Sequence, residues 1–461
     1  MFSGGTALAA GAAALSLALT PAVPAQAPAS GVAEIALSVP TNDGLTLAAT
    51  LHVPEQAAPG RPGMVLVHGA GPGKRDKYRE EAVVFARAGV ATLTYDKRTA
   101  GYSLTQRSYS QLADDAAAAA AVLRRRPEVA PSVVGIWGFS EGGWVAPLAA
   151  SRAAETAFVV VVGANGVAPL RQQTWADAAK MHHAGVEGSL VDASTRTFYR
   201  MISGLGMFPE PYYDPAPPVR ALTVPVLGIW GAKDRLTPPV ESVDAFQVAL
   251  EAGGNRHYTL RTFADAEHSV RTTTTGFDKG AEFAPGYVDL VTAWIAAVAK
   301  GAAPPMSVAG TGDQPRPTTE VPPLAWHESV WVQMGVLVVM LAGFGGFWLV
   351  MGWRAVCRRG SATPRSARLL SGAGLVAMLG GLSYLGFVQA TRGRTFDPGP
   401  MLAGRPILWL ALQAVAVVAV AAAVALGVHQ WRARRDVLLL LPLTAGVVFV
   451  PWAAYWGLLL P

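Results

Sequence analysis

The sequence has 461 residues, of which 51% are hydrophobic and only 15% are charged. Its length predicts more than one domain, and its mean hydropathy of +0.32 excludes a wholly soluble protein. The net charge of +6 does not indicate a nucleic-acid partner, because many arginines lie in short loops between apolar runs, where they set membrane topology. The single cysteine, Cys357, excludes an intrachain disulfide.

Residues 1–27 have the features of a secretory signal. A short apolar core at 7–19 precedes two candidate cleavage sites, Val23-Pro24-Ala25 and Ala25-Gln26-Ala27. The basic region that ordinarily precedes such a core is missing, and Pro28 directly follows the second site. We therefore predict an export signal and keep an uncleaved N-terminal anchor as the alternative.

Residues 31–300 alternate between strand-like and helix-like segments. The first two strands flank Asn42-Asp43-Gly44, a strong turn signal, and predict a hairpin. The continuous apolar run that ends near His68 is typical of a strand buried in a parallel sheet. The alternation predicts an α/β fold with a doubly wound, mostly parallel sheet. Strands are predicted at 33–39, 45–51, 63–69, 90–95, 132–136, 158–163, 224–230 and 257–263, and helices at 78–88, 109–125, 144–152, 240–251 and 287–300.

The alternation breaks between residues 165 and 219. This irregular segment carries many large apolar side chains, and we predict that it forms a small cap inserted into the sheet domain. Those side chains either line an acyl pocket or form the core of the cap itself. They are Trp175, Phe198, Tyr199, Met201, Met207, Phe208, Tyr212 and Tyr213.

Residues 301–328 are rich in proline, glycine, serine and threonine, which predicts an extended linker with few contacts. We therefore expect a chain of residues 29–301 alone to be soluble and active. The membrane domain predicted at 329–461 has four apolar runs, each roughly 33–36 Å long as a helix and so able to span a bilayer. The predicted spans are 330–353, 369–390, 407–428 and 437–460.

Arginine is distributed unevenly among the loops between these spans. Because arginine-rich short loops stay in the cytoplasm, the first and third loops are predicted inside. The α/β domain is then predicted outside, as the N-terminal signal also predicts, in a multi-pass protein of the cell membrane. The first and third loops hold Arg354, Arg358, Arg359, Arg365, Arg368, Arg432, Arg434 and Arg435, and the middle loop holds Arg392, Arg394 and Arg405.

Ser140 stands between a predicted strand and a predicted helix, in Gly138-Phe139-Ser140-Glu141-Gly142. A serine at such a junction sits on a sharp turn with its hydroxyl exposed, and the glycines let the strand and the helix approach closely. The helix directs its free amides and the positive end of its dipole at the same place. This context predicts a nucleophilic serine.

A serine hydroxyl becomes nucleophilic when a base removes its proton, and the base is commonly a histidine held by a carboxylate. Asp234 and His268 each follow a predicted strand, in the chain order serine, acid, histidine. Asp265 and Glu267 are competing carboxylates, but they share the loop of the histidine and are more simply caps or surface charges. The predicted triad is Ser140, Asp234 and His268.

Two backbone amides are predicted to stabilise an oxyanion: the Glu141 N–H, directly after the nucleophile, and the Ala70 N–H, in the loop after a buried strand. His68 lies at the start of that loop and is more simply structural than a base. His182 and His183 have no third metal ligand spaced near them, and no phosphate-binding loop precedes a lysine at the required spacing. We therefore predict no metal and no cofactor.

Five motifs of the sequence belong together. They are His68-Gly69-Ala70-Gly71-Pro72-Gly73, Tyr95-Asp96-Lys97-Arg98, Gly138-Phe139-Ser140-Glu141-Gly142-Gly143, Gly231-Ala232-Lys233-Asp234 and Glu267-His268. Through them, residues 31–300 resemble the α/β-hydrolase superfamily, and most closely its bacterial dienelactone-hydrolase and prolyl-oligopeptidase-like branch. The resemblance implies hydrolysis of an ester, thioester or amide through an acyl-enzyme.

Two positions depart from the pattern of that superfamily. The turn Thr99-Ala100-Gly101-Tyr102-Ser103 does not begin with glycine. Glu141 places a charge directly after the nucleophile, and this charge is expected to affect which substrates are tolerated. The four predicted spans lie outside the resemblance.

Together these observations predict a membrane-tethered, extracytoplasmic serine hydrolase that cleaves a carboxylic ester or thioester. The expected partners are a small ester or short peptide and the lipid bilayer, without nucleic acid. A peptidase or amidase with the same triad is the alternative among enzymes. A non-catalytic membrane sensor is the alternative of another class, but a sensor has no need for Ser140, Asp234 and His268 together.

Overall fold

The computed structural model of the chain describes residues 31–56, 59–302, 304–358, 363–391, 397–432 and 436–461. The predicted signal at 1–27 lies outside these residues. So do some of the loop arginines, namely Arg359, Arg392, Arg394, Arg434 and Arg435. The described chain forms a sheet domain, a cap and a bundle of long apolar helices.

Within the described residues, nine strands form one mostly parallel sheet. The strands are β1 (Val32–Pro40), β2 (Thr46–Pro54), β3 (Arg61–Val67), β4 (Ala91–Tyr95), β5 (Val129–Phe139), β6 (Val159–Val162), β7 (Val226–Gly231), β8 (Tyr258–Phe263) and β9 (Ser307–Ala309). Their order is β1-β2-β4-β3-β5-β6-β7-β8-β9. Only the β1–β2 and β2–β4 pairs are antiparallel, and all other pairs are parallel. The predicted α/β fold is confirmed.

Helices cover both faces of the sheet. In chain order the helices are α1 (Arg79–Arg87), α2 (Tyr109–Arg124), α3 (Gly142–Arg152), α4 (Pro169–His183), α5 (Ser189–Asp192), α6 (Phe198–Gly204), α7 (Ala216–Arg220), α8 (Pro239–Ala252), α9 (Tyr287–Ala299), α10 (Val330–Met340), α11 (Gly346–Val356), α12 (Arg365–Thr391), α13 (Ile407–Arg432) and α14 (Val437–Tyr455). Helices α2, α3 and α8 pack on one face, and α1 and α9 on the other. In β6, Val159 and Val161 join the first core, and Val160 and Val162 join the second. Strands buried on both faces are therefore continuous apolar runs in the sequence.

The cap is helical, whereas its sequence predicted an irregular segment. Residues 165–219, all of them described, contain α4, α5, α6, a π-helical turn at Ala193–Thr197 and all of α7 except its last residue. The apolar periodicity of α4 is weak because polar residues occupy buried positions on it, among them Thr174 and Asp177. The Asp177 carboxylate is satisfied there by the Tyr199 hydroxyl, which donates to it at 2.7 Å.

The segment 301–328 is not the contact-poor linker that its composition predicts. Its residues Ser307–Ala309 form β9, which pairs with β8 at the edge of the sheet. Many of its contacts are made by backbone groups and charged side chains, and such contacts leave no apolar periodicity in the sequence. Several side chains of the sheet domain and the cap bond to the segment, among them Arg235 to Asp313 at 2.7 Å, Trp175 to the Arg316 carbonyl at 2.9 Å and Arg200 to Glu328 at 2.5 Å.

Four helices of the described chain are long and apolar enough to cross a membrane, as predicted. They are Val330–Val356, Arg365–Thr391, Ile407–Arg432 and Val437–Tyr455. The first of them joins α10 and α11 through a π-helical turn at Leu341–Gly345.

The last helix ends at Tyr455, five residues before the predicted end of its span at 460. The helix is terminated by Gly457, which has a left-handed backbone conformation (φ +77°) that residues with a Cβ atom rarely adopt. The Gly457 N–H donates to the Ala454 carbonyl at 3.1 Å, and the Leu458 N–H donates to the Ala453 carbonyl at 2.8 Å. This pair of bonds is a Schellman motif.

The cap is bonded to one end of the helix bundle. The Ser189 N–H donates to the Pro461 carbonyl at 3.0 Å, and its hydroxyl donates to the Gly457 carbonyl at 2.8 Å. The Glu187 N–H donates to the Gly404 carbonyl at 2.8 Å. These acceptors precede α13 or follow α14, whereas the arginine-rich loops follow α11 and α13. The cap and the arginine-rich loops therefore lie at opposite ends of the bundle.

Apolar side chains of the cap share one buried core with the bundle. This core contains Met181, Val186, Leu190, Val191 and Met201 together with residues of the four apolar helices. Helix α4 contributes to it near its C-terminal end. Near its N-terminal end, α4 donates a hydrogen bond from the Gln172 amide to the Leu236 carbonyl. Thus α4 connects the loop after β7 to the helix bundle.

Candidate active site

Ser140 lies on a tight turn between β5 and α3, where its sequence context predicted a nucleophile. Its φ is +54°, a left-handed conformation that is uncommon for serine and typical of a strained functional turn. The turn requires Gly138, because a Cβ there would lie 2.0 Å from the Gly142 carbonyl oxygen. The Ser140 N–H is held by the Val162 carbonyl of the neighbouring strand at 2.9 Å.

Asp234 and His268 come together at the ends of β7 and β8. The distance from His268 Nδ1 to Asp234 Oδ2 is 2.7 Å. The Asp234 carboxylate is fully buried and also accepts the N–H groups of Leu236 and Thr237, at 2.7 and 2.8 Å. The imidazole packs against Phe139, the residue before Ser140, with 4.9 Å between ring centroids. The structure therefore places the histidine and its carboxylate beside the serine turn.

The environment of His268 favours a strong base. Burial alone disfavours the imidazolium, but the charge of Asp234 and its hydrogen bond outweigh burial and raise the pKa of His268 above its usual value. A hydrogen bond to Nδ1 leaves Nε2 available for a proton from a serine hydroxyl.

The competing carboxylates are engaged elsewhere. Asp265 is exposed and pairs with Lys233 at 3.0 Å. Glu267 is buried, and it accepts the N–H groups of Ser269 and Arg271 at 3.0 and 3.2 Å within its own turn. This geometry supports the prediction that Asp234 is the acid.

Replacing Asp234 by asparagine is expected to lower kcat, because the imidazole remains but is no longer oriented. The variant is expected to keep a kcat about 10- to 100-fold higher than that of a variant without His268. The matched control is Asp265→Asn, which removes an exposed carboxylate from the loop of the histidine and is expected to leave kcat unchanged. Steady-state kinetics on a chromogenic ester would measure both. An unchanged Asp234→Asn enzyme beside an impaired Asp265→Asn enzyme would reassign the acid.

The two predicted oxyanion amides differ from their neighbours in their hydrogen bonding. Among the described residues, no atom accepts a hydrogen bond from the N–H of Ala70 or of Glu141. By contrast, the neighbouring Gly69 and Gly71 amides donate to tyrosine hydroxyls, at 3.1 and 2.9 Å. The Ala70 loop also lies against the nucleophile, since a Cβ on Gly69 would be 3.3 Å from the Ser140 Cβ.

The Glu141 side chain is directed into a buried ion-pair network, in which its charge is paired with cations. Its carboxylate lies 2.5 Å from the Lys97 ammonium and also contacts the Arg107 guanidinium. The Tyr102 hydroxyl donates to it at 3.0 Å. Sequence reasoning did not assign Lys97, Tyr102 and Arg107 to the site. One signal in the sequence pointed to such a partner: Glu141 directly follows the nucleophile, and a carboxylate that is buried there requires a cation beside it.

His68 does not act on the serine. It is almost fully buried, and its Nε2 lies 2.6 Å from the Tyr95 carbonyl oxygen. Burial lowers the pKa of His68 to about 4, so the ring is neutral and structural. This agrees with the simpler interpretation of that residue in the sequence.

His182 and His183 make separate contacts. His182 Nδ1 lies 3.0 Å from the Val186 carbonyl oxygen and 3.1 Å from the Glu187 carboxylate. His183 stacks on Phe277, with 4.0 Å between ring centroids.

Three of the eight large side chains of the cap form its own core, and the other five pack elsewhere or are exposed. Phe198, Tyr199 and Phe208 pack together beside Val321 of the segment before the bundle. Trp175 instead lines a cavity of about 430 Å³ between α4, the π-helical turn and the segment around residues 315–321. Neither Ser140 nor His268 lines this cavity.

Comparisons with known proteins give further observations. Residues 78–289 match the prolyl oligopeptidase family, and this range contains Ser140, Asp234 and His268. The polyketide transferase claH of Penicillium crustosum is 35% identical over 128 residues. That match covers 27% of this chain and 42% of the relative, so it spans less than half of the relative's length.

Solved structures with similarity to the chain include two hydrolytic enzymes. Esterase 2 of Thermogutta terrifontis, phosphorylated by paraoxon, is 18% identical with a TM-score of 0.42, covering 59% of this chain and 96% of that one. A puromycin-hydrolyzing peptidase of Mycobacterium tuberculosis is 19% identical with a TM-score of 0.42, covering 63% of this chain and 42% of that one.

Proposed function

We propose that the chain, which has an α/β fold and whose residues 78–289 match the prolyl oligopeptidase family, is a serine hydrolase that cleaves a carboxylic ester or thioester through an acyl-enzyme intermediate. One observation carries the proposal: three groups meet at the end of β5. They are a serine on a left-handed turn, an imidazole bonded to a buried carboxylate, and two amides whose N–H groups have no acceptor among the residues that the structure describes.

In the proposed reaction the Ser140 hydroxyl oxygen attacks the acyl carbon while His268 Nε2 takes its proton. The carbonyl oxygen becomes an oxyanion that accepts the N–H groups of Ala70 and Glu141. Collapse of this intermediate expels the alkoxide or thiolate, which takes the proton from His268. Water then attacks the acyl-enzyme, with His268 again as the base, and releases the acid and free Ser140.

A peptide or amide is the second candidate substrate, and the match of residues 78–289 to the prolyl oligopeptidase family supports it. Esters and thioesters are the more reactive acyl donors, so a triad and two amides suffice for them. Peptide cleavage commonly requires further contacts along the substrate main chain to supply binding energy to the transition state.

A substrate panel on the full chain in detergent would decide between the two classes. The panel consists of p-nitrophenyl esters of increasing acyl length and aminoacyl p-nitroanilides, with Ser140→Ala as the blank. Ester turnover with a kcat/KM well above that for every anilide is expected. A preference for anilides would make the protein a peptidase or amidase.

We also propose that the sheet domain lies outside the cytoplasm. The cap and the arginine-rich loops lie at opposite ends of the bundle. Because loops rich in arginine are retained in the cytoplasm, the end that bears the cap would face outward. This orientation does not depend on the enzyme assignment.

Labelling of Cys357 tests this orientation. Cys357 is the single cysteine of the sequence, and it is exposed at the end of α11, opposite the cap. In intact cells stripped of any outer barrier, an impermeant maleimide is expected to leave Cys357 unlabelled until the membrane is opened. The control is Met207→Cys in a Cys357→Ser background, since Met207 is exposed on the cap and is expected to label in sealed cells. Labelling of Cys357 in sealed cells, without labelling of Met207→Cys, would invert the orientation.

A further inference from the structure

Lys97 follows β4 and reaches the loop that carries the first proposed oxyanion amide. Its buried ammonium donates to the Gly69 carbonyl at 2.8 Å and to the Gly71 carbonyl at 3.3 Å. The Gly69 carbonyl and the Ala70 N–H belong to the same peptide group. Because the C=O and N–H of a trans peptide point in opposite directions, a donor fixed on the Gly69 oxygen directs the Ala70 N–H away from itself.

The same ammonium also reaches the residue that carries the second amide. Lys97 Nζ lies 2.5 Å from Glu141 Oε1, and both side chains are almost fully buried. The Tyr102 hydroxyl completes the link, because it accepts from Lys97 at 2.7 Å and from the Gly71 N–H at 2.9 Å. One cation thus connects two segments of chain that come from different strands of the sheet.

We propose that Lys97 is a positioning residue that orients the Gly69–Ala70 peptide and ties it to Glu141, so that both amides face the oxyanion. This inference rests on the proposed function, which assigns the Ala70 and Glu141 amides to the oxyanion. Lys97 itself does not touch the substrate.

Stability alone does not require this ion pair. Removing two charges from water is unfavourable, and an apolar pair of similar volume commonly stabilises a fold equally well. What an apolar pair lacks is a donor for the Gly69 carbonyl. A charged donor on a carbonyl also polarises its peptide group, which makes the N–H at the other end a stronger donor.

The arrangement predicts an alkaline limit of activity. Burial lowers the pKa of Lys97 to about 8, although the Glu141 charge acts in the opposite direction. The other charged or titratable groups that face Lys97 are Arg107, Lys77, Tyr102 and His68. As the pH rises through about 8, the Lys97 ammonium loses a proton and can donate one hydrogen bond fewer. The two amides are then held less firmly, so kcat is expected to fall.

The test uses the full chain in detergent and compares Lys97→Met with Lys74→Met. Lys74 is an exposed lysine that pairs with Asp96 at 3.0 Å, and its replacement is expected to change nothing. Removing one oxyanion donor from a hydrolase lowers kcat by about 10²- to 10³-fold. Misorienting a donor is expected to do less, so Lys97→Met should lower kcat by about 10- to 100-fold with KM unchanged. The rate of labelling by a fluorophosphonate should fall in parallel, and the alkaline limit should disappear.

A second variant keeps the proposal testable if Lys97→Met does not fold. Glu141→Gln retains the backbone amide and the shape of the side chain, but it removes the charge that raises the pKa of Lys97. The alkaline limit should therefore move to lower pH. Provided that Ser140→Ala is inactive, either of two results overturns the inference. One is a wild-type kcat for Lys97→Met, and the other is an unchanged alkaline limit for Glu141→Gln. If Ser140→Ala retains activity, the proposed function itself has failed.

Discussion

Replacing Ser140 by alanine is expected to lower kcat for ester hydrolysis by roughly 10³-fold or more while the fold stays intact. Alanine removes the proposed nucleophile and leaves the surrounding contacts in place, because the turn is held by the backbone bond from Ser140 to Val162. Loss of His268 by replacement with alanine is expected to have an effect of the same order, since members of a triad act as a unit.

The measurement combines steady-state hydrolysis with covalent labelling of membranes by a fluorophosphonate probe. The wild-type chain should label, and Ser140→Ala should not. The matched control is Ser151→Ala on α3, where the hydroxyl only donates to the Leu148 carbonyl at 2.9 Å, and this variant should label normally. Absence of labelling in a folded wild-type chain would favour the non-catalytic sensor over the enzyme.

A chain truncated to residues 29–301 is expected to aggregate or unfold, contrary to what its sequence alone predicted. Truncation removes the bundle that covers Met181, Val186, Leu190, Val191 and Met201. Exposing a buried side chain of this kind costs about 1.5–3 kcal/mol. The cost of exposing all five is comparable with the free energy of unfolding of a typical domain, which is roughly 5–15 kcal/mol. Truncation also removes β9 from the edge of the sheet.

Sedimentation and circular dichroism of the truncated chain, compared with the full chain in detergent, would measure this effect. A second truncated chain with Leu190→Gln and Met201→Gln serves as the control. If apolar exposure is the cause, this control should be more soluble than the simple truncation. A soluble, monodisperse and active simple truncation would show that the cap does not depend on the bundle.

Several features of the protein could be predicted because short stretches of the sequence specify them. The strands buried on both faces are continuous apolar runs, and the spans are apolar runs of sufficient length. The turn at Ser140 needs Gly138 and Gly142 within a few residues. The chain order of Ser140, Asp234 and His268 follows from the order of parallel strands, whose ends meet at one edge of the sheet.

The helices of the cap and the contacts of residues 301–328 could not be predicted in the same way. Helix α4 buries Thr174 and Asp177, so its apolar pattern is interrupted. The segment 301–328 is held by a short edge strand and by ion pairs such as Arg200 with Glu328. Such contacts are made with residues that are distant in the sequence and that only the fold brings close to the segment. The composition of the segment therefore does not predict them.

The sequence by itself thus determined the sheet, the serine turn and the membrane spans, because local periodicity and backbone requirements specify them. The tertiary structure alone decided what Glu141 pairs with and what the cap rests on. Lys97 is 44 residues from Glu141 along the chain, and Ser189 is 268 residues from Gly457. Partners at such separations are selected by packing and by the need of buried charges and carbonyls for hydrogen bonds. The sequence has 37 lysines and arginines, and it is the fold that brings Lys97 and Arg107 to Glu141.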